Sequence, residues 1–147
     1  MPQFMVIVKG DDPEGREQPT AEALTRMGTY NEMLADKGIM VDGNGLLPSN
    51  QAHRIQFGSG GSTSVVDGPF AEAKELIAGY WILECATLDE AVEWARKAPF
   101  DEGQQLEVRR VASAEDFGDA YTDEVREQED RIREKVGSHE AAERAST

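Results

Sequence analysis

Asp67 closes a β-branched run, Val65-Val66-Asp67, and is followed at once by Gly68-Pro69-Phe70 and the charged stretch Glu72-Ala73-Lys74-Glu75. Pro69 fixes its own φ and restricts Gly68, so the corner that carries the carboxylate is stiff. A carboxylate held that way can serve as a catalytic general base or as a hydrogen-bond acceptor for a ligand. It can equally cap the turn through backbone N–H groups, as Asp does in tight turns, and the two roles are compatible. Lys74, between Glu72 and Glu75, is the local cation for an anionic ligand group, the alternative being a solvated charge run. Phe70 either lines a pocket or plugs the sheet end. Arg54, on the strand expected beside that of Asp67, could clamp a carboxylate with two parallel hydrogen bonds or pair with an acid of the protein itself. Tyr80 adds a hydroxyl on the following strand. Asp67 as catalytic group and Arg54, Phe70, Glu72, Lys74 and Tyr80 as ligand-binding groups form the candidate site.

These residues need a scaffold, and the hydrophobic pattern supplies one. Phe4-Met5-Val6-Ile7-Val8-Lys9 reads as a strand, and Gly10-Asp11-Asp12-Pro13-Glu14-Gly15 as a polar loop. Thr20 caps a helix over about 20–37, with Leu24, Met27, Met33 and Leu34 on one face, Tyr30 between them, and Gly38 as its stop. Residues 40–48 read as an irregular, glycine-rich approach. A hairpin follows, with strands at 53–57 and 62–66 around Gly58-Ser59-Gly60-Gly61. A strand over 77–85 leads to a helix capped by Thr87, with Leu88, Ala91, Val92, Trp94 and Ala95 inward and Pro99 closing it. Residues 105–111 form a last, half-exposed strand. The order predicts an α+β fold, ferredoxin-like βαββαβ with an inserted glycine-rich segment and both helices on one face of an antiparallel sheet. The uncovered face predicts a homodimer.

The chain has 147 residues, 39% hydrophobic and 30% charged, which fits one globular domain ending near Val111. Residues 113–147 hold 11 acids and 5 bases. Within them Phe117, Tyr121, Val125, Ile132 and Val136 recur at three- and four-residue multiples, so 112–136 is expected to be an amphipathic acidic helix. Residues 137–147, opened by Gly137, are expected to be a disordered tail. The net charge of −14 repels phosphate backbones and anionic lipid, which argues against nucleic acid and membrane as partners. No segment reaches the ~18–20 apolar residues of a membrane span, and the N-terminus lacks a basic region before an apolar run, so the expected location is cytoplasmic. The lone Cys85 lies in an apolar strand and reads as a small buried thiol. No Cys/His cluster has metal-ligand spacing and no phosphate-loop or Gly-x-Ser-x-Gly pattern occurs, so neither metal nor cofactor is expected.

The run from Asp67 to Glu75 resembles the signature of the YCII-related family, in particular its branch named after Asp-Gly-Pro-Phe. Further matches are Tyr30-Asn31-Glu32, Gly43-Asn44-Gly45-Leu46, Arg54 and Gly79-Tyr80-Trp81, together covering about residues 4–111. The resemblance implies two sheets packed face to face as a dimeric α/β barrel, with no settled activity. In the broader family a helix-borne His paired with an Asp has been proposed as a catalytic dyad. No His occurs in 20–37 here. His53 sits in or near a strand and His139 in the tail, so that imidazole role does not carry over, and His53 reads as structural or merely exposed, the alternative being a pH-sensitive role.

Two functions fit. One is a homodimer that binds, and by acid–base chemistry converts, a small organic molecule in a cleft near the Asp-Gly-Pro-Phe loop, with Asp67 as base. The other is a non-enzymatic regulatory protein, functionally linked to an extracytoplasmic-function sigma factor as the resemblance implies, whose acidic helix docks on a protein partner.

Overall fold

The computed structural model describes residues 1–11, 19–72 and 75–146. Most of the polar loop expected after the first strand, and Lys74 with Ala73, lie outside the described residues. The chain divides into two compact units, Met1–Val111 and Ala112–Thr147.

The first unit is a mixed α+β structure built on a four-stranded antiparallel sheet. In chain order its elements are β1 (Gln3–Lys9), α1 (Ala21–Asp36), β2 (Met40–Gly45), β3 (His53–Phe57), β4 (Thr63–Asp67), β5 (Ile77–Glu84), α2 (Leu88–Ala95) and β6 (Gln105–Arg110). The sheet runs β2-β5-β1-β6, whereas β3 and β4 pair only with each other as a separate two-stranded ribbon. Alternation along β1 and β5 puts Phe4, Val6, Trp81 and Leu83 on one face, where they pack with Tyr30 and Leu34 of α1, Ala91 and Ala95 of α2, and Cys85. Met5, Ile7, Tyr80 and Ile82 point to the other face.

Both helices start where capping chemistry dictates. Thr20 Oγ1 accepts from the Ala23 N–H at 3.1 Å, and Thr87 Oγ1 from the Glu90 N–H at 3.2 Å. Gly38 follows α1 with φ +70°, a conformation that suits glycine at a helix end. The inward sets differ from expectation at their ends: Leu24 and Leu88 are exposed, while Met27, Met33, Val92 and Trp94 are partly buried. Each exposed leucine sits in the first turn of its helix, at the edge of the layer.

The strand set differs more. Residues 40–45, expected to be irregular, form the edge strand β2, and the hairpin expected inside the sheet stands apart from it. Glycine misleads there because it usually weakens strands. At Gly43 of this edge strand, and at Gly79 of the neighbouring β5, it is required by close packing. A Cβ on Gly43 would lie 2.8 Å from Met40 Cε and 2.8 Å from Trp81 Cδ1, and one on Gly79 would lie 2.9 Å from the Asn44 carbonyl oxygen.

In the second unit, a 3₁₀ segment over Ala114–Ala120 precedes α3 (Asp123–Ser146). Gly118, at φ +57°, breaks the helix expected from 112 onward, so the Phe117 and Tyr121 rings stack with each other, 6.4 Å between centroids, rather than extend the α3 stripe. At the other end α3 runs through Gly137 to Ser146, where a stop and a disordered tail were expected, because an isolated glycine costs a helix only about 1 kcal/mol. Glu129 accepts a hydrogen bond from the Tyr121 hydroxyl, which raises that phenol's pKa above its ordinary value. Among the described residues, no helix is long and apolar enough to cross a membrane.

Candidate functional site

The ribbon's register decides what stands beside Asp67. Phe57 pairs with Thr63 across the turn, and counting back pairs Ile55 with Val65 and His53 with Asp67. Residues directly opposite share a face, so imidazole and carboxylate meet, with His53 Nδ1 2.7 Å from Asp67 Oδ1. An ionised carboxylate only accepts hydrogen bonds, so in the neutral ring it fixes the proton on Nδ1 and leaves the lone pair on Nε2. That is the arrangement in which an imidazole takes protons and a carboxylate orients it.

Sequence reading missed this pairing by looking for the histidine on a helix. The signal lay in the turn, because the length of Gly58–Ser62 between two five-residue strands fixes which residues face each other.

The remaining candidates fall into three places. Arg54 and Val66 alternate to the opposite side of the ribbon, and the Arg54 guanidinium lies 3.7 Å from the centre of the Phe70 ring. Arg54 therefore braces the loop after β4 rather than facing the His53–Asp67 side, and Phe70 is its platform. Glu72 is exposed in that loop, its carbonyl accepting from the Glu75 N–H at 2.9 Å, while Lys74 lies outside the described residues. Tyr80 belongs to a separate cluster on the open face of the sheet. Its hydroxyl donates to Asp42 Oδ2 at 3.2 Å and accepts from Asn44 Nδ2 at 3.1 Å.

The Asp-Gly-Pro corner is rigid for reasons beyond proline. The Gly68 N–H donates to the Ala52 carbonyl at 2.9 Å, and a Cβ at Gly68 would sit 1.8 Å from the Ser49 carbonyl oxygen, so no other residue fits. The Gly68–Pro69 peptide is cis. Asp67 itself does not sink into a cavity of the single chain. Its side chain is 79% exposed and that of His53 64%. The same face of the ribbon carries Ile55, Phe57 and Val65, exposed by 61%, 84% and 64%.

Other groups named in the family resemblance are structural. Tyr30 is buried, donates to the Trp94 carbonyl at 2.9 Å, and has its pKa pushed up to about 12 by burial and secondarily by Cys85. Asn31 accepts from Trp81 Nε1–H at 2.8 Å. Burial, followed by the charge of Glu90, raises the Cys85 thiol pKa, which keeps thiolate scarce there.

Residues 3–115 match the protein family described as the YCII-related domain. The chain is also 47% identical over 51 residues to a protein of Rhizobium meliloti (strain 1021) described as uncharacterized. That stretch is 35% of this chain and 40% of the relative, so the chain spans about two-fifths of the length of the curated relative it matches.

Proposed function

Because the chain belongs to the YCII-related domain family, we propose that it is a member of the Asp-Gly-Pro-Phe branch that binds a small organic molecule and moves a proton on it with the His53–Asp67 pair. The observation that carries this reading is the 2.7 Å contact between His53 Nδ1 and Asp67 Oδ1. In it His53 Nε2 is the general base and Asp67 the group that holds the tautomer, so the base role expected of Asp67 passes to its partner. A positioned general base contributes about 10²–10⁴-fold to rate. Proton abstraction followed by isomerisation or elimination needs only these groups.

An acid–base pair this exposed is screened by water and does little. Its cover in this reading is a second copy of the chain. The exposed Ile55, Phe57 and Val65 share a face with the pair, so whatever buries them also dries the pair. The sheet supports the same assembly. Its order and its two helices fit a ferredoxin-like fold, which packs open face to open face in a dimeric α/β barrel. On that face Asp42, Ile82, Met5 and Arg109 form one row across β2, β5, β1 and β6. A two-fold axis along the strands sets β2 of one copy over β6 of the other, so Asp42 meets Arg109 of the second copy and Ile82 meets Met5.

The test is a thermal-shift screen of small organic acids and carbonyl compounds. A ligand at a hundredfold excess over its Kd stabilises by about 2.7 kcal/mol. Any hit is then followed by proton exchange or turnover in His53→Gln and Asp67→Asn. Both variants should lose turnover by orders of magnitude while keeping the fold. Unchanged turnover in His53→Gln removes the pair from the chemistry.

A second reading is favoured by α3, whose Ile132 and Val136 stay about half exposed on a 24-residue helix. It makes the chain a regulatory protein linked to an extracytoplasmic-function sigma factor, docking through that stripe. Deleting residues 113–147 separates the two readings: capture of a sigma factor is lost under the second, and ligand binding survives under the first.

A further inference from the structure

We infer that Asp11 and Ser49 are positioning residues for the His53–Asp67 pair, acting through the loop that leaves β4; this rests on the acid–base reading of that pair.

Among the described residues Ser49 is the polar side chain that the fold buries, and burying a hydroxyl is costly unless it is hydrogen-bonded. Ser49 is bonded through every polar atom it could spare. Its N–H donates to Asp11 Oδ1 at 2.8 Å, its hydroxyl donates to Asp11 Oδ2, and the hydroxyl oxygen accepts from the Phe70 N–H at 3.3 Å. One serine thus ties three segments together: the chain just past β1, the 3₁₀ turn Ser49–Gln51 that feeds β3, and the loop that follows β4.

The tie falls where it affects the pair. Ala52 precedes His53 and Gly68 follows Asp67, and these two neighbours are joined by the 2.9 Å Gly68 N–H to Ala52 carbonyl bond. The Ser49 carbonyl fills the space beside Gly68 that a side chain would need. Every residue of β3 and β4 is exposed, so packing along the ribbon does little to hold its register. The turn and the ladder set that register, and the bonds at the base of the ribbon hold the end that carries the pair. A hydrogen bond at 2.7 Å is lost if the strands slip by about 1 Å, since contacts beyond about 3.5 Å are no longer hydrogen bonds. Asp11 holds the Ser49 hydroxyl, Ser49 holds Phe70, and together they keep Gly68 against Ala52.

The experiment reads the tautomer of His53 through its imidazole ¹⁵N shifts in the full-length protein, with the ring neutral. The wild type should show the Nδ1–H form, and Asp67→Asn should lose it. Ser49→Ala and Asp11→Ala should lose it too, with Ser49→Thr, which keeps the hydroxyl, restoring it at least in part. Leu83→Val, a core change far along the sheet, should lower Tm without moving those shifts, which separates positioning from general destabilisation. If the wild type and Ser49→Ala both show the Nδ1–H form, the positioning role is overturned and the acid–base reading stands. If the wild type lacks it, the pair itself is wrong and both fall.

Discussion

The four-stranded sheet and the two-stranded ribbon are built from the same kinds of residue and meet opposite fates. Phe4, Val6, Trp81 and Leu83 are buried under α1 and α2, whereas Ile55, Phe57, Val65 and Val66 stand in solvent. Strand propensity expresses how well a residue fits a half-buried pleated surface, and the ribbon has no such surface in the single chain. The sheet gains stability from burial. The ribbon keeps its shape through its own strand ladder and the bonds at its base, and it is the ribbon that carries the His53–Asp67 pair. Groups that do chemistry tend to lie on segments held by a rigid scaffold rather than within it.

The contrast is most exposed to failure at its core end. Leu83→Ala should cost about 2–5 kcal/mol in urea unfolding, and Ile55→Ala less than about 0.5 kcal/mol in dilute solution, where no partner covers it. Comparable costs for the two would mean that the ribbon is packed against its own chain. Gly68→Ala comes next. It should cost roughly 1–3 kcal/mol, because the new methyl displaces the Ser49 carbonyl, and it should also disturb the His53 tautomer. A silent Gly68→Ala would show that the base of the ribbon is loose.

Phe57→Asp sharpens the comparison by adding concentration. Under the proposed dimer it should shift sedimentation toward monomer while leaving monomer stability within about 0.5 kcal/mol, and unchanged sedimentation would remove Phe57 from any interface. The last test concerns pH. The folded state holds the Tyr30 proton up to about 12, whereas the unfolded chain releases it near 10. Between those values the unfolded state binds fewer protons, so the Tyr30 contribution is constant below pH 10 and is lost as pH rises toward 12. The raised Cys85 thiol acts in the same direction. Tyr30→Phe should forfeit about 1 kcal/mol at neutral pH through its lost bond to Trp94 and flatten the alkaline decline. A decline of full slope in Tyr30→Phe would assign it to other groups.

Local chemistry made much of this legible in the sequence. Thr20 and Thr87 announce helix starts, the alternation from Phe4 to Lys9 and from Ile77 to Glu84 announces strands with one buried face, and Gly58–Ser62 announces a hairpin. Each depends on residues within a few positions of one another. Gly43 gave the opposite signal from its role, because its need arises from Trp81, 38 residues away in sequence. Asp67 was legible as a candidate, but its partner was not, and neither Asp11 nor Ser49 stood out as belonging to the same site.

By itself, then, the sequence determined β1, β5, β6, the hairpin and both helices of the first unit, the rigid Asp67-Gly68-Pro69 corner and the α+β class, since caps, periodicity and proline geometry act over short range. Only the tertiary structure decided which strands share the sheet, that His53 faces Asp67, and that Ser49 joins Asp11 to Phe70. Those outcomes turn on strand register and on single hydrogen bonds between distant segments. Such bonds form only when the whole fold brings their ends within about 3 Å of one another.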